Sequence, residues 1–175
     1  MKSRSILVRF PGYPFSFEAL MPDYEFASTA ACLLAEGHET VIRDFGTVGL
    51  VDRLFPEEVR GTAQQLADRF LHADELSPLR TLHVLWQLRA VDRAFQHRQT
   101  ACCEELAEKL LRAPNTDFIA LKLDHTDDIC SAILLAKRLR QHVKDVVLVA
   151  FGHAADLYGR QLIGTTTAFD CVCIG

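Results

Sequence analysis

Five short apolar runs alternate with helical stretches along this chain, and that alternation constrains its fold more than any other feature. Ile6-Leu7-Val8-Arg9-Phe10 is the first run. It meets Pro11-Gly12-Tyr13-Pro14, a turn cluster that stops any regular element. Ala27, Ala30, Ala31 and Leu34 follow at helical spacing. Gly37 is placed as the left-handed residue that ends this helix. Residues 39–45 read as a second strand, with Asp44 near its carboxyl end. Strand, helix, glycine turn and strand form a βαβ unit, whose crossover implies parallel, right-handed neighbours. Residues 118–123, 146–151 and 169–175 supply three more strands. Ile129, Ala132, Ile133, Ala136 and Leu139 mark an amphipathic helix after the third. A shorter helix around residues 156–163 follows the fourth. The pattern predicts an α/β fold with an open, doubly wound, parallel five-stranded sheet.

Residues 46–115 break the rhythm, because they read as helix throughout. Ala63, Leu66, Ala67, Phe70 and Leu71 form one stripe. Leu82, Leu85 and Trp86 form a second, and Cys103, Leu106, Ala107, Leu110 and Leu111 a third. Pro78 suits a helix start, and Arg112-Ala113-Pro114-Asn115 ends the last helix. A helical insertion of three helices between the second and third strands is expected, packed on the same sheet. Residues 1–175 are then one domain.

The size of 175 residues suits one domain, and 49% hydrophobic against 24% charged residues is an ordinary globular balance. The net charge of -4 argues against a nucleic-acid partner. No apolar run is long enough for a membrane span, so no membrane partner is expected. Arg9 interrupts the first apolar run before it could serve as a signal peptide, and the expected location is cytoplasmic. Six cysteines form no C-x-x-C pair and read as reduced thiols, four of them within apolar patterns.

Ligands of such sheets bind outside the carboxyl ends of the strands, near the switch in strand order. The loops beginning at Pro11, Phe45, Asp124, Gly152 and Gly175 therefore matter most. The first carries neither G-x-G-x-x-G nor a P-loop. Its Pro11, Gly12, Tyr13, Pro14 and Phe15 make a rigid apolar loop, better suited to a large flat ligand than to a phosphate. Asp124-His125-Thr126-Asp127-Asp128 has metal-ligand chemistry. Its residues are consecutive, however, and read more simply as a helix start. Thr126 is the expected N-cap, with Asp127 and Asp128 in the first turn. His153, just after Gly152, lies at the same edge. No Ser-His-Asp, Cys-His or G-x-S-x-G arrangement is present.

Four segments in order resemble the N-terminal domain of the cobalamin-dependent radical SAM enzymes. They are Ile6-Leu7-Val8-Arg9-Phe10-Pro11-Gly12, residues 30–44 with Glu36-Gly37-His38-Glu39, Asp117-Phe118-Ile119-Ala120-Leu121, and Phe151-Gly152-His153 followed by residues 170–175. The resemblance covers the chain outside the helical segment. It implies a Rossmann/flavodoxin-like sheet of the cobalamin-binding type, in a fragment ending before a radical SAM domain. That following domain would be the covalent partner and would supply the 4Fe-4S cluster and S-adenosylmethionine. The corrin would lie flat over the strand ends against Pro11, Gly12, Tyr13, Pro14 and Phe15. Its nucleotide tail would descend between the third and fourth loops, near Leu123, Asp124, His125, Thr126, Gly152 and His153, with Gly175 beside them. No residue of this chain is assigned a catalytic role, and cobalamin would serve methyl transfer or rearrangement in the whole enzyme. The chain departs from the family in having Phe151-Gly152 where two glycines are usual. It also lacks D-x-H-x-x-G, the motif that supplies a cobalt-ligating histidine elsewhere, which implies cobalamin held without such a ligand. Two other readings stand beside this one: a cobalamin-free interaction or sensor module on the same fold, and a metal-dependent hydrolase built on Asp124, His125 and His153.

Overall fold

The computed structural model describes residues 2–10, 22–71, 78–113 and 115–175. They form two compact units. Met1–Thr47 with Cys103–Gly175 form the first, and Val48–Cys102 the second.

The first unit is a five-stranded, wholly parallel sheet in the order β2-β1-β3-β4-β5. The strands are β1 (Arg4–Arg9), β2 (Glu39–Asp44), β3 (Phe118–Lys122), β4 (Val147–Phe151) and β5 (Cys171–Val172). β5 is much shorter than the apolar run 169–175, because only Cys171 and Val172 find ladder partners, in Val149 and Ala150. Helix α1 (Tyr24–Ala35) joins β1 to β2. Gly37 takes φ +84°, the left-handed conformation expected of it, and its amide donates to the Leu34 carbonyl.

Three helices run between β2 and β3: α2 (Val48–Leu54), α3 (Glu57–Leu71) and α4 (Pro78–Leu111). Pro78 does open a helix. The two stripes expected on separate helices after it lie instead on α4 alone, about 50 Å long at 1.5 Å per residue. No glycine or proline interrupts the chain between Pro78 and Pro114, so nothing stops the helix. The second unit is held by Leu50, Val51, Leu54, Leu66, Val84 and Phe95, all buried. Phe55 and Phe95 meet edge to face at 5.8 Å.

Helices α5 (Thr126–His142) and α6 (His153–Thr165) link β3 to β4 and β4 to β5. The strand order decides where they lie. α1 carries the chain one way across the sheet, while α5 and α6 carry it the other way. Right-handed crossovers therefore place them on opposite faces. Leu7 and Ala120 point to the α1 face and pack with Phe26 and Ala30. Ile6, Val8, Ile119, Leu121, Leu148 and Ala150 alternate to the other face and are fully buried, as are Leu135 and Leu139 of α5. Among the described helices of the first unit α1 is the one on this face, and the half over β3, β4 and β5 is an apolar cleft of about 500 Å³. Leu33, Phe118, Val149, Phe151, Cys171 and Cys173 are among its walls. Cys102 and Cys103 are buried, whereas Cys32, Cys130, Cys171 and Cys173 are exposed, fewer buried thiols than the apolar patterns suggest. No described helix is long and apolar enough to cross a membrane.

Candidate functional site

The carboxyl edge of the sheet is organised by a buried lysine. Arg9, Asp44, Lys122 and Phe151 are register neighbours on the last rungs of β1, β2, β3 and β4. Strand alternation turns Arg9 and Lys122 to the α1 face, at the switch in strand order between β1 and β3. Lys122 is only 5% exposed. Its Nζ lies 2.5 Å from Asp23 Oδ2, 3.0 Å from Asp124 Oδ2 and 3.6 Å from Glu25 Oε2. Arg9 Nε lies 3.8 Å from the same Asp23 oxygen, and its Nη1 3.3 Å from Asp44 Oδ2.

Asp23 has two tasks. It is the N-cap of α1, where its Oδ1 accepts the Phe26 amide at 2.9 Å. Its other oxygen pins that helix end to β3 through Lys122. Burial pushes the Asp23 carboxyl up, but the Lys122 hydrogen bond, the Phe26 amide and the charges of Lys122 and Arg9 outweigh this and hold it below the usual range. Lys122 shows the mirror effect: burial favours the neutral amine, yet Asp23 and Asp124 hold its pKa above the ordinary lysine value. Asp124 is raised, chiefly by burial and also by the charges of Asp23 and Asp128, against the pull of Lys122. Lys122 is thus a fixed cation rather than a nucleophilic amine.

The third loop starts α5 one residue earlier than expected. His125, not Thr126, is the N-cap, and Thr126 is the first helical residue. The cause is Asp128, whose Oδ2 accepts the amides of both Asp124 (3.0 Å) and His125 (2.9 Å). The fourth loop is equally constrained. Gly152 has φ +103° and ψ 176°, a region essentially closed to other residues, and α6 begins at once with His153, earlier than expected. A Cβ on Gly152 would lie 2.7 Å from the Leu123 carbonyl oxygen and 3.1 Å from Asp124 Oδ1. The Leu123 amide donates to Phe151 O at 2.8 Å, and its carbonyl accepts the Ala154 amide at 2.8 Å. The missing side chain at Gly152 therefore serves contact between the two loops, and a ligand tail between them would have to separate these bonds.

The fold brings Leu123, Asp124, His125, Thr126, Gly152 and His153 to one edge. Leu123 has a fully buried side chain and offers only its backbone. His125, Thr126 and His153 are exposed. Gly175 joins the first turn of α6, donating its amide to Asp156 Oδ1 at 3.1 Å. Pro11, Gly12, Tyr13, Pro14 and Phe15 lie outside the described residues. Arg9, Asp23 and Lys122 escaped the sequence reading, although Arg9 and Lys122 are charged residues inside apolar strand runs and so carried a signal.

Among the described residues the result is a polar ledge with an acidic margin beside a closed pair of loops. Among the described residues, no three His, Cys, Asp or Glu side chains group to hold a metal ion. This edge presents the exposed imidazoles of His125 and His153 and the Thr126 hydroxyl beside the Asp124 carboxyl. No protein-family model, no curated protein and no solved structure matches the chain.

Proposed function

We propose that the first unit is a cobalamin-docking domain of a radical SAM enzyme. The strand order carries this reading. Its switch between β1 and β3 sets the strands that carry the family resemblance, β1, β3 and β4, side by side, with Arg9, Lys122 and Phe151 on their last rungs. The described residues there fit a broad, flat ligand resting on the ledge. Nothing in them demands a deep cleft, and the tail would run over the Leu123–Gly152 contact rather than through it. His125, Thr126 and His153 would meet the polar rim of the corrin, and Asp124 would give or accept a hydrogen bond according to its protonation. Lys122 and Asp23 act beneath, keeping the end of α1 and the third loop level. Bound cobalamin supplies the methyl-carrying or radical chemistry, with the 4Fe-4S cluster and S-adenosylmethionine of a following domain; this unit binds and orients.

Joint replacement of His125 and His153 by alanine tests the ledge. Two lost hydrogen bonds of ordinary strength correspond to about tenfold weaker cobalamin binding. Lys144→Ala, an exposed site in the α5–β4 connection at the other end of the sheet, leaves binding unchanged. Equal affinity for the double variant and the parent would place any binding elsewhere.

One observation favours a second reading, a cobalamin-free interaction module. Parallel sheets are normally covered on both faces, and among the described residues the apolar cleft over β3 to β5 is open. A partner covering that cleft would need no cofactor at the ledge.

A further inference from the structure

The second unit carries a surface that cofactor docking does not use. The reverse of the first half of α4 is committed to the core through Val84 and Phe95. Its outer side leaves Leu79, Leu82 and Trp86 at 80%, 63% and 68% exposure. These three follow one another at intervals of three and four, the spacing of a helix–helix seam. Arg89 and Arg93 continue the same line at the same spacing and are exposed as well. Over residues 78–102 there are four arginines and a single carboxylate, Asp92, in a chain whose net charge is -4. Beside the apolar end lies a groove of about 490 Å³ walled by Arg69, Leu79, Arg80, His83 and Val84.

We propose that this seam docks an amphipathic helix of a partner protein, apolar over two turns and acidic over the next two. Exposing three large apolar side chains in a row costs solvation free energy that a partner helix would recover. The arginines select the sign of that partner and its register, since carboxylates opposite Arg89 and Arg93 place apolar residues opposite Trp86, Leu82 and Leu79. A second copy of the same face is disfavoured, because parallel pairing would set arginine against arginine and antiparallel pairing about Trp86 would set Arg93 and Arg89 against Leu79 and Leu82. An anionic membrane is disfavoured by the pattern along the helix. A helix lying in a lipid surface needs an apolar face along its length, whereas this face, Leu85 included, turns to arginine halfway along.

Trp86 is the only tryptophan in the chain, so its emission reports on the seam directly. The 175-residue protein is titrated with a synthetic helical peptide of about three heptads, leucine at the first seam positions and glutamate at the later ones. A second peptide with lysine in place of glutamate serves for comparison. The expected result is a saturable blue shift with the acidic peptide, at least tenfold tighter than with the basic one and weakened by salt. The double variant Arg89→Glu, Arg93→Glu, checked for unchanged helix content by circular dichroism, should reverse that preference. No shift with either peptide, or equal response to both, overturns the proposal. So does a shift with phosphatidylserine vesicles in the absence of any response to the acidic peptide, and so does failure of acrylamide to quench Trp86 in the free protein.

Discussion

Lys122→Met lowers the free energy of unfolding by about 3–5 kcal/mol, the usual cost of removing one partner from a buried ion pair. Lys122 is buried and the Asp23 side chain is 9% exposed, and methionine would leave the carboxylates of Asp23 and Asp124 without their nearest cation. The effect reports coupling rather than packing, because methionine nearly matches lysine in volume. Adding Asp23→Asn should restore half or more of the loss: asparagine still caps α1, and no buried charge is stranded at that position. Urea unfolding of the four proteins closes the cycle, and simple additivity of the two changes would contradict the pairing.

The same pair has a defined pH signature. The folded Asp23 carboxyl lies below its ordinary value of 3.8, so its contribution is present above that value and is lost as pH falls through the lowered one. The folded Lys122 lies above 10.5, so its contribution is complete below that value and is lost as pH rises through the raised one. The stability gap between the parent and Lys122→Met should be widest between these limits and narrow beyond either. A gap independent of pH down to strong acid would mean that Lys122 acts by packing.

Gly152→Ala has the second large effect. The residue occupies a backbone region that costs other amino acids about 1–3 kcal/mol, and the added methyl would press on the Leu123 carbonyl oxygen at 2.7 Å. That atom is backbone and accepts the Ala154 amide, so it cannot swing aside as a flexible side chain would. A loss at the upper end of the strain range or beyond is expected, with faster hydrogen exchange at the amides of Leu123 and Ala154. Unchanged protection at those two amides would show that the loops do not depend on each other.

The parallel sheet was readable from sequence because its runs are β-rich and bounded by turn residues, and Gly37 announced the end of α1. What escaped has specific physical causes. The stripes at Leu82 and Cys103 belong to different faces of one long helix, and the shift between them mimics a break; the absence of glycine and proline was the better signal. α6 starts unannounced because its N-cap is Gly152, without the Ser, Thr or Asp that usually marks a helix start. Thr126 is a better cap in isolation than His125, but Asp128 gathers two loop amides and sets the start one residue earlier. Lys122 and Asp23 stand 99 positions apart in sequence, and only the adjacency of β1 and β3 brings the end of α1 over Lys122. The edge of the sheet was therefore legible as a place, whereas the ion pairs that shape it were not.

Cobalamin binding tests the central claim most directly. The 175-residue protein is titrated with hydroxocobalamin and methylcobalamin, followed by calorimetry and the visible spectrum. The account predicts saturable one-to-one uptake, with a spectrum that shows whether His125 or His153 reaches cobalt. Absence of binding at high micromolar cofactor would contradict it and leave the interaction module as the reading that stands.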